Sequence, residues 1–387
     1  MYAFRKPFTA GRYVSPPFNE GIKTWFVLAQ VLGYTASKFI GIRIISEMKP
    51  ARRGKVLIGL VGLALLALLL FALVPTPYKP VCLFLNGLPL GLVYGLVLGF
   101  LEGRRLTEAF VAGLCASFIL ADGFTKSIGA NLLQRGVPEA WMPFASGLIF
   151  LMPLIGFVLM LQKIPPPSGA DIVARSERTP MRWLDRRAFF IRHAPGLAGL
   201  LLMYLLVTVL RSLRADFAPE LWAELGMPST PALFTRSELW VAIGVLVLHA
   251  SLVGVTHNRR AFFVGIGLSL IGMTTLTTAL LLVSAGRVGP FPFMVLTGIG
   301  LYLPYVAAHT TLFERLMAMT RDRGNIGFLM YLADAVGYLG YAGVMVVHQF
   351  GHIQGDVVAW FVHIGWVVAA GSISGLVGTF LFYRRQK

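Results

Sequence analysis

The sequence predicts an all-helical membrane protein that crosses the bilayer many times. Its 387 residues are 56% hydrophobic and 13% charged, and the mean hydropathy is +0.73. Stretches such as residues 56–74 carry no charge and are long enough to cross a hydrocarbon layer about 30 Å thick at about 1.5 Å per residue. Lysine and arginine are concentrated in alternate gaps between these stretches, which is the pattern that membrane orientation imposes.

Eleven spans follow from the apolar stretches. They are 24–47, 55–75, 80–101, 107–132, 140–162, 195–216, 237–256, 261–285, 290–313, 325–349 and 357–383. The gaps after spans one, three, five, seven and nine, together with Lys55 at the start of the second span and the tail, hold 21 lysines and arginines, whereas the opposite set holds 6. The positive-inside rule therefore places the first set and the C-terminus in the cytoplasm. We expect a multi-pass protein of the bacterial cytoplasmic (inner) membrane.

The spans divide into two bundles. With eleven spans and a cytoplasmic C-terminus, the chain would begin outside, and its first eleven residues look like the outer half of a further helix. We expect that most of this first helix is absent and that no signal peptide is present, since Arg5, Lys6 and Pro7 interrupt any apolar region. The predicted units are an N-terminal bundle at 1–163, a basic cytoplasmic linker at 164–193 and a six-helix bundle at 194–387. Six plus six spans are typical of parallel-repeat transporters, whose substrate site lies between the halves.

Composition and motifs exclude several classes of protein. The formal charge of +17 follows the loops on one side, so orientation and anionic lipids explain it better than nucleic acid. Cys82 and Cys115 both fall within spans and predict neither a disulfide framework nor a metal site. The sequence contains no phosphate-binding loop, dinucleotide fingerprint or nucleophile elbow. We therefore predict a monomeric membrane protein that is not an enzyme and uses no cofactor or metal.

Ionisable residues inside the spans are the candidates for function, because charge is expensive in the membrane and is usually retained for a purpose. Arg5 and Arg211 lie in the first helix of each half, so a twofold axis along the membrane normal would bring them face to face. Two planar guanidinium groups could clamp one anion through paired hydrogen bonds. The alternatives are that Arg5 extends to lipid headgroups, that Arg211 lies at the outer surface, and that Lys38 extends toward the cytoplasm.

Three further residues could gate or couple transport. Asp122 and Lys126 are four residues apart, so they share a helix face and could either neutralise each other or act as a gate. Asp334 has no nearby cation in the sequence and could pair with one on another helix, including one in the opposite half, or play a helix-capping or polar packing role. His309, five residues after Pro304, is the histidine best suited to contact substrate or to titrate.

Several motifs resemble a known family of transporters. The segments are YAFRKPF at 2–8, YTASKFIG at 34–41, FLNGLPLGLVYG at 84–95, FLEGRR at 100–105, LRADFAPELW at 213–222, GLYLPYV at 300–306 and YLADAVGYLG at 331–340. YAFRKPF, YTASKFIG, LRADFAPELW, GLYLPYV and the GYLG at 337–340 resemble the organophosphate and phosphate antiporter branch of the major facilitator superfamily. FLNGLPLGLVYG, FLEGRR and YLADAVGYLG resemble, still more closely, an uncharacterised bacterial family of facilitator-like proteins. The resemblance implies the major facilitator fold with two six-helix bundles.

The resemblance also assigns roles to residues. In the antiporters one arginine of the first helix and one of the seventh bind phosphate, and the matching positions here are Arg5 and Arg211. The cavity lysine of that branch matches Lys38, and its binding histidine falls near Ser117. That departure changes the pattern of charge and hydrogen bonding around the anion.

The predicted function is secondary transport of a small anionic solute, such as an organophosphate, phosphate or a carboxylate, by alternating access. The site would comprise Arg5, Lys38, Arg211, Ser117 and His309. Two alternatives remain open: a proton-coupled symporter that uses Asp122, Asp334 or His309, and a membrane sensor derived from a transporter, with residues 163–193 as its docking surface.

Overall fold

The computed structural model describes residues 1–18, 21–46, 48, 50–101, 107–165, 169, 183–228, 230–250, 254–255, 257–320, 326–350 and 356–386. In this part of the chain the regular structure is helical. The α-helices are α1 (Tyr2–Arg5), α2 (Ile22–Ser46), α3 (Pro50–Leu73), α4 (Lys79–Leu101), α5 (Thr107–Gln134), α6 (Met142–Gln162), α7 (Trp183–Asp216), α8 (Ala218–Glu224), α9 (Pro231–Ala250), α10 (Asn258–Ser284), α11 (Pro290–Ala307), α12 (Phe313–Thr320), α13 (Ile326–Phe350) and α14 (Val357–Arg385).

The predicted all-helical membrane fold is confirmed. Within the described ranges, ten helical segments are long and apolar enough to cross a membrane. Helix α2, with 25 residues, is of similar length but carries Lys23 and Lys38. The predicted span 290–313 is one continuous helical segment that extends to Thr320, with a π-helical turn at Ala308–Leu312 between α11 and α12. Most of the predicted linker at 164–193 lies outside the described residues, and α7 begins within it at Trp183.

The chain forms two groups of helices that meet along two pairs. We call α1–α6 the N-terminal half and α7–α14 the C-terminal half. Helices α2, α3 and α4 pack together in the first half, and α7 packs against α13 and α14 in the second. The halves touch mainly where α2 packs on α13 and α5 packs on α9. Helix α2 begins, and α7 ends, at one end of the molecule, which we call the Asp216 end; α6 ends at the opposite one, the Lys163 end.

The first residues form a broken helix buried inside the N-terminal half. Helix α1 ends at Arg5, and a 3-10 turn follows at Pro7–Ala10. Proline fixes its backbone angle and lacks an N–H, which favours a new turn over continuation of the α-helix. Helix α1 contacts α3, α4, α5 and α6, so Arg5 is held within the half and not at its rim.

Helices α2 and α4 approach so closely that only glycine fits at their crossing. Gly87 faces the backbone of Gln30 and Tyr34, and Gly91 faces Ser37 and the Tyr34 carbonyl. Small residues allow helix backbones to pack closely in membranes. The crossing fixes α2, which carries Lys38, against α4.

Gly87→Ala should therefore destabilise the protein. An added Cβ would meet the Gln30 carbonyl and lie 2.8 Å from the Tyr34 nitrogen, and backbone atoms cannot move aside as a side chain can. We expect a loss of about 1–3 kcal/mol in the free energy of unfolding, as for other overpacked sites. Gly62→Ala is the matched control, because nothing lies within 4 Å of its added Cβ. Equal melting temperatures in detergent for the two variants would contradict this packing.

A pair of carboxyl groups joins α8 to the start of α14 at the Asp216 end. The Val358 N–H donates to Glu224 Oε2 at 3.0 Å and to Asp356 Oδ1 at 2.8 Å. Partial burial, followed by the hydrogen bond to Asp356, raises the pKa of Glu224 to about 7. The hydrogen bond from Glu224 lowers the pKa of Asp356. Glu224 is therefore the member of the pair that binds a proton as the pH falls below about 7.

This pair predicts a pH-dependent stability. Because the pKa of Glu224 is raised on folding, the folded state binds more protons than the unfolded chain between the ordinary value and about 7. The melting temperature should fall as pH rises through that interval, and Glu224→Gln should flatten the fall. Glu139→Gln is the control, since Glu139 also accepts main-chain N–H groups, from Arg12 and Tyr13. An unchanged pH profile in Glu224→Gln would refute the assignment.

Candidate functional site

Two buried arginines, one from each half, form the centre of the candidate site. Arg5 is 2% exposed and Arg211 is 5% exposed. The Arg5 guanidinium carbon lies 3.8 Å from the centre of the Tyr34 ring, and that of Arg211 lies 4.3 Å from the centre of the Tyr305 ring. Neither side chain extends to headgroups, so the alternative positions considered from the sequence are not adopted.

Neither guanidinium has a carboxylate partner in the described part of the chain. The ion pairs found there involve other cations, and the Nε atoms of Arg5 and Arg211 lack hydrogen-bond acceptors among the described residues. Tyrosines surround the two groups instead. Tyr2 and Tyr338 lie within electrostatic range of both, and Arg5 donates to the Tyr338 hydroxyl. The two arginines thus share a neutral, aromatic environment.

Buried amides hold Arg5 in position. Because α1 ends at Arg5, the carbonyls of its last turn lack helical partners. Gln30 donates from Nε2 to the Arg5 carbonyl at 2.8 Å and to Asn86 Oδ1 at 2.8 Å. Asn86 donates from Nδ2 to the Phe4 carbonyl at 3.0 Å and to the Ala64 carbonyl at 2.9 Å. The sequence analysis missed both amides, although a polar amide inside an apolar span is itself a signal.

Arg211 and Arg214 lie one turn apart on α7 but have different environments. Arg214 pairs with Glu238 of α9 at 2.8 Å and donates from Nη2 to the Met294 carbonyl at 2.8 Å. It is 2% exposed, so it is a buried structural cation and not a surface residue. Arg211 is left without such a partner.

A second polar cluster joins the two halves. Lys38 on α2 lies 2.8 Å from Asp334 Oδ2 on α13, which is the cross-half partner considered for Asp334. Tyr204 donates to the other oxygen of Asp334, and its hydroxyl lies 2.8 Å from Nε2 of His309. Lys38 is therefore neutralised by a carboxylate in this conformation.

A small cavity lies between the clusters. Its lining includes tyrosines next to both arginines and the acidic and imidazole groups of the second cluster: Met1, Tyr2, Tyr34, Tyr94, Cys115, Phe118, Tyr305, His309, Asp334 and Tyr338. The cavity measures about 20 Å³, which is room for one or two water molecules.

Ser117 is not part of this site. Its side chain is exposed, and its hydroxyl donates to the Leu114 carbonyl at 2.7 Å. The cavity is lined by Cys115 instead. Ser117 lies two residues after Cys115, and two residues along an α-helix rotate the side-chain direction by about 200°. Ser117 therefore lies on the opposite face of α5 from the cavity-lining Cys115.

Asp122 and Lys126 form the ion pair that their spacing allows. Both are buried, and their charges neutralise each other within α5. The structure therefore brings together Arg5, Arg211, Lys38, Asp334 and His309 and leaves this pair beside them.

Two ion pairs close the Asp216 end. Lys6, next to Arg5, pairs with Asp216 of α7, and Tyr341 donates to the second oxygen of Asp216 at 3.0 Å. Lys23 of α2 pairs with Glu220 of α8 at 2.7 Å. Both pairs connect the two halves, and the sequence analysis predicted neither. Over the described residues, no group of three or more His, Cys, Asp or Glu side chains could hold a metal ion.

The fold that encloses this site is that of the major facilitator superfamily of membrane transporters. The structure resembles the crystal structure of a D-xylose–proton symporter, with a TM-score of 0.59 and 14% sequence identity over 98% of this chain and 93% of that chain. It also resembles the crystal structure of a bacterial homologue of the iron transporter ferroportin in an outward-facing state, with a TM-score of 0.61 and 16% identity over 99% of this chain and 97% of that chain. A third similar crystal structure is that of the human organic anion transporter MFSD10, with a TM-score of 0.52 and 17% identity over 91% of this chain and 82% of that chain.

The chain belongs to a family of unknown function, DUF5690, whose model matches residues 7–386. A search of curated proteins finds no matching sequence.

The Lys6–Asp216 pair can be tested by a double-mutant cycle. Lys6→Met should destabilise the protein by about 3–5 kcal/mol, because it leaves a buried carboxylate unpaired. Adding Asp216→Leu should recover most of that loss, because it removes the orphaned charge. Thermal unfolding of the wild type, both single variants and the double variant measures the coupling between the residues. Additive effects of the two substitutions would contradict a direct pair.

Proposed function

We propose that this protein is a secondary transporter that carries a small anionic solute across the membrane by alternating access. The observation that supports it is the pair of buried guanidiniums, Arg5 and Arg211, contributed by opposite halves and without a carboxylate partner among the described residues. A buried charge without a counter-ion is strongly unfavourable. An anion bound between the halves would supply that counter-ion.

The chemistry of the two groups indicates the kind of anion. Arginine remains charged when desolvated, and its planar fork donates paired hydrogen bonds to carboxylate or phosphate. The solute is therefore an organophosphate, inorganic phosphate or a carboxylate. The motif resemblance to the organophosphate and phosphate antiporters favours the first two, whereas the absence of a histidine at Ser117 favours a different pattern of recognition.

Electrostatics also supports exchange. An empty site with two uncompensated cations resists enclosure in a medium of low dielectric constant, and a bound anion removes that penalty. The Lys6–Asp216 and Lys23–Glu220 pairs would hold the Asp216 end closed and separate when that end opens. The loaded carrier therefore reorients more readily than the empty one, which favours antiport.

The charge distribution sets the orientation that we propose. The Lys163 end carries most loop cations and would face the cytoplasm of a bacterial inner membrane, with the C-terminus on the same side. Anionic lipids would contact these loops, and the chain would act as a monomer without nucleic acid. A sensor role would depend on the linker at 164–193, most of which lies outside the described residues.

Replacing either site arginine by lysine should weaken the binding of the solute. The purified chain is screened by thermal shift and scintillation proximity against phosphate, sugar phosphates, carboxylates and amino acids. Arg5→Lys and Arg211→Lys should each weaken binding about 10- to 100-fold, because a charge-assisted hydrogen bond of about 1.5–3 kcal/mol is lost.

Arg214→Lys is the matched control. Arg214 is equally buried and lies one turn from Arg211, but it is paired with Glu238, so its replacement should leave the affinity for the anion nearly unchanged. Full affinity in both site variants, or an equal loss in Arg214→Lys, would exclude the proposed clamp.

A further inference from the structure

The second polar cluster contains a carboxylate placed for a task other than holding the anion. Asp334 is the one acidic residue among the described residues that line the cavity. The buried carboxylates Asp122, Asp216 and Glu238 are paired elsewhere, with Lys126, Lys6 and Arg214. Asp334 pairs with Lys38 across the half interface, so its charge state decides whether this connection exists.

The groups that face Asp334 come from every element packed around it. They are Lys38 and Tyr34 of α2, Tyr94 of α4, Cys115 of α5, Tyr204 and Arg211 of α7, Tyr305 and His309 of α11 and its π-turn, and Tyr331 and Tyr338 of α13. Lys38 is the close cation among them. Losing the Asp334 charge would leave Lys38 without a counter-ion.

The hydrogen bonds of the cluster form a chain that can deliver a proton. The Tyr204 hydroxyl donates to Asp334, so it must accept from His309, which requires the proton of the neutral ring to be on Nε2. The other ring nitrogen, Nδ1, then carries a lone pair, and it has no hydrogen-bond partner among the described residues. His309 also lines the cavity. Its Nδ1 is therefore a proton acceptor, unpaired among the described residues, on a side chain that lines the cavity.

We propose that Asp334 is a proton-binding site and that the proton enters together with the anion. A proton taken up at Nδ1 of His309 releases the Nε2 proton to Tyr204, and the Tyr204 hydroxyl proton passes to Asp334. One proton enters and one carboxylate is neutralised. Lys38 then loses Asp334 as its counter-ion and turns to the anion. The anion thus supplies the negative charge that Asp334 supplied to Lys38 before.

This inference rests on the proposed function and deepens it by naming the coupling ion. The anion would meet three cations when Asp334 is protonated and two when it is not. Proton and anion therefore favour each other's binding, and by linkage each raises the affinity for the other by the same factor. A proton gradient could then add to the driving force for the exchange of anions.

Cys115 provides a test that requires no transported solute. It lines the cavity, is 2% exposed and is one of only two cysteines in the sequence. In a Cys82→Ala chain in lipid nanodiscs, the rate of alkylation of Cys115 by N-ethylmaleimide is measured at acidic and alkaline pH. Each rate is divided by that of the denatured chain, which removes the pH dependence of a thiol that reacts only while the site is open to solvent.

Protonation should loosen the contact between α2 and α13 and expose Cys115. We expect the normalised rate to rise at acidic pH by about 5- to 150-fold, the range of typical coupling free energies. In Asp334→Asn the rate should be high at both pH values. Asp122→Asn is the control, because it neutralises a buried carboxylate paired within one helix and should retain the pH dependence.

Two outcomes would overturn the proposal: a pH-independent rate in the chain that keeps Asp334, or full pH dependence in Asp334→Asn. If Asp334→Asn fails to fold, Lys38→Met replaces it, because Asp334 without its cation should stay protonated. Infrared titration of Lys38→Met should then show a carboxylic acid band that persists at alkaline pH. Its absence would also refute the proposal. Because no anion is present, a failure here is distinguishable from a failure of the arginine clamp.

Discussion

The central constraint on this structure is that a buried cation inside the helical bundle needs a negatively charged partner. In the described part of the interface between the halves, Lys6, Lys23, Lys38 and Arg214 each have a carboxylate partner. Arg5 and Arg211 do not. A fold that pairs its other interface cations could also have paired these two, and their isolation is the observation on which the proposed anion site rests.

Tyrosine makes this isolation tolerable. Aromatic faces attract a guanidinium, and phenolic hydroxyls accept its hydrogen bonds without adding a negative charge. Tyr34 and Tyr305 cover the two groups, and Tyr338 lies near both. A carboxylate in place of any of them would stabilise the empty site and compete with an anion. Neutral aromatic partners keep the arginines desolvated, oriented and still available to a negatively charged ligand.

The sequence predicted the fold and several residues that the structure brings together in the candidate site. Long apolar stretches and loop charges were sufficient for an all-helical membrane protein, and the rarity of embedded charge identified Arg5, Arg211, Lys38 and Asp334. The pairing of the charges was not predictable, because Lys6 and Asp216 lie 210 residues apart and meet only through the packing of the halves. The prediction that Ser117 lines the cavity is not matched by its exposed position in the structure. Matching short motifs identifies the helix that carries a residue, but not which face of that helix meets the cavity.

The positions of the ion pairs on α2 limit how the halves can move. Lys23 and Lys38 are fifteen residues apart, or about 22 Å along the helix, and both pair with the C-terminal half. When two rigid bodies rock about a central site, they separate at one end while they close at the other. The Lys23–Glu220 contact at the Asp216 end must break when that end opens, whereas the deeper Lys38–Asp334 contact can persist. When the Lys163 end opens, the strain falls on Lys38–Asp334. Protonation of Asp334 would therefore affect opening of the Lys163 end more than opening of the Asp216 end. Such an unequal effect on the two movements is what coupling of transport to protons requires.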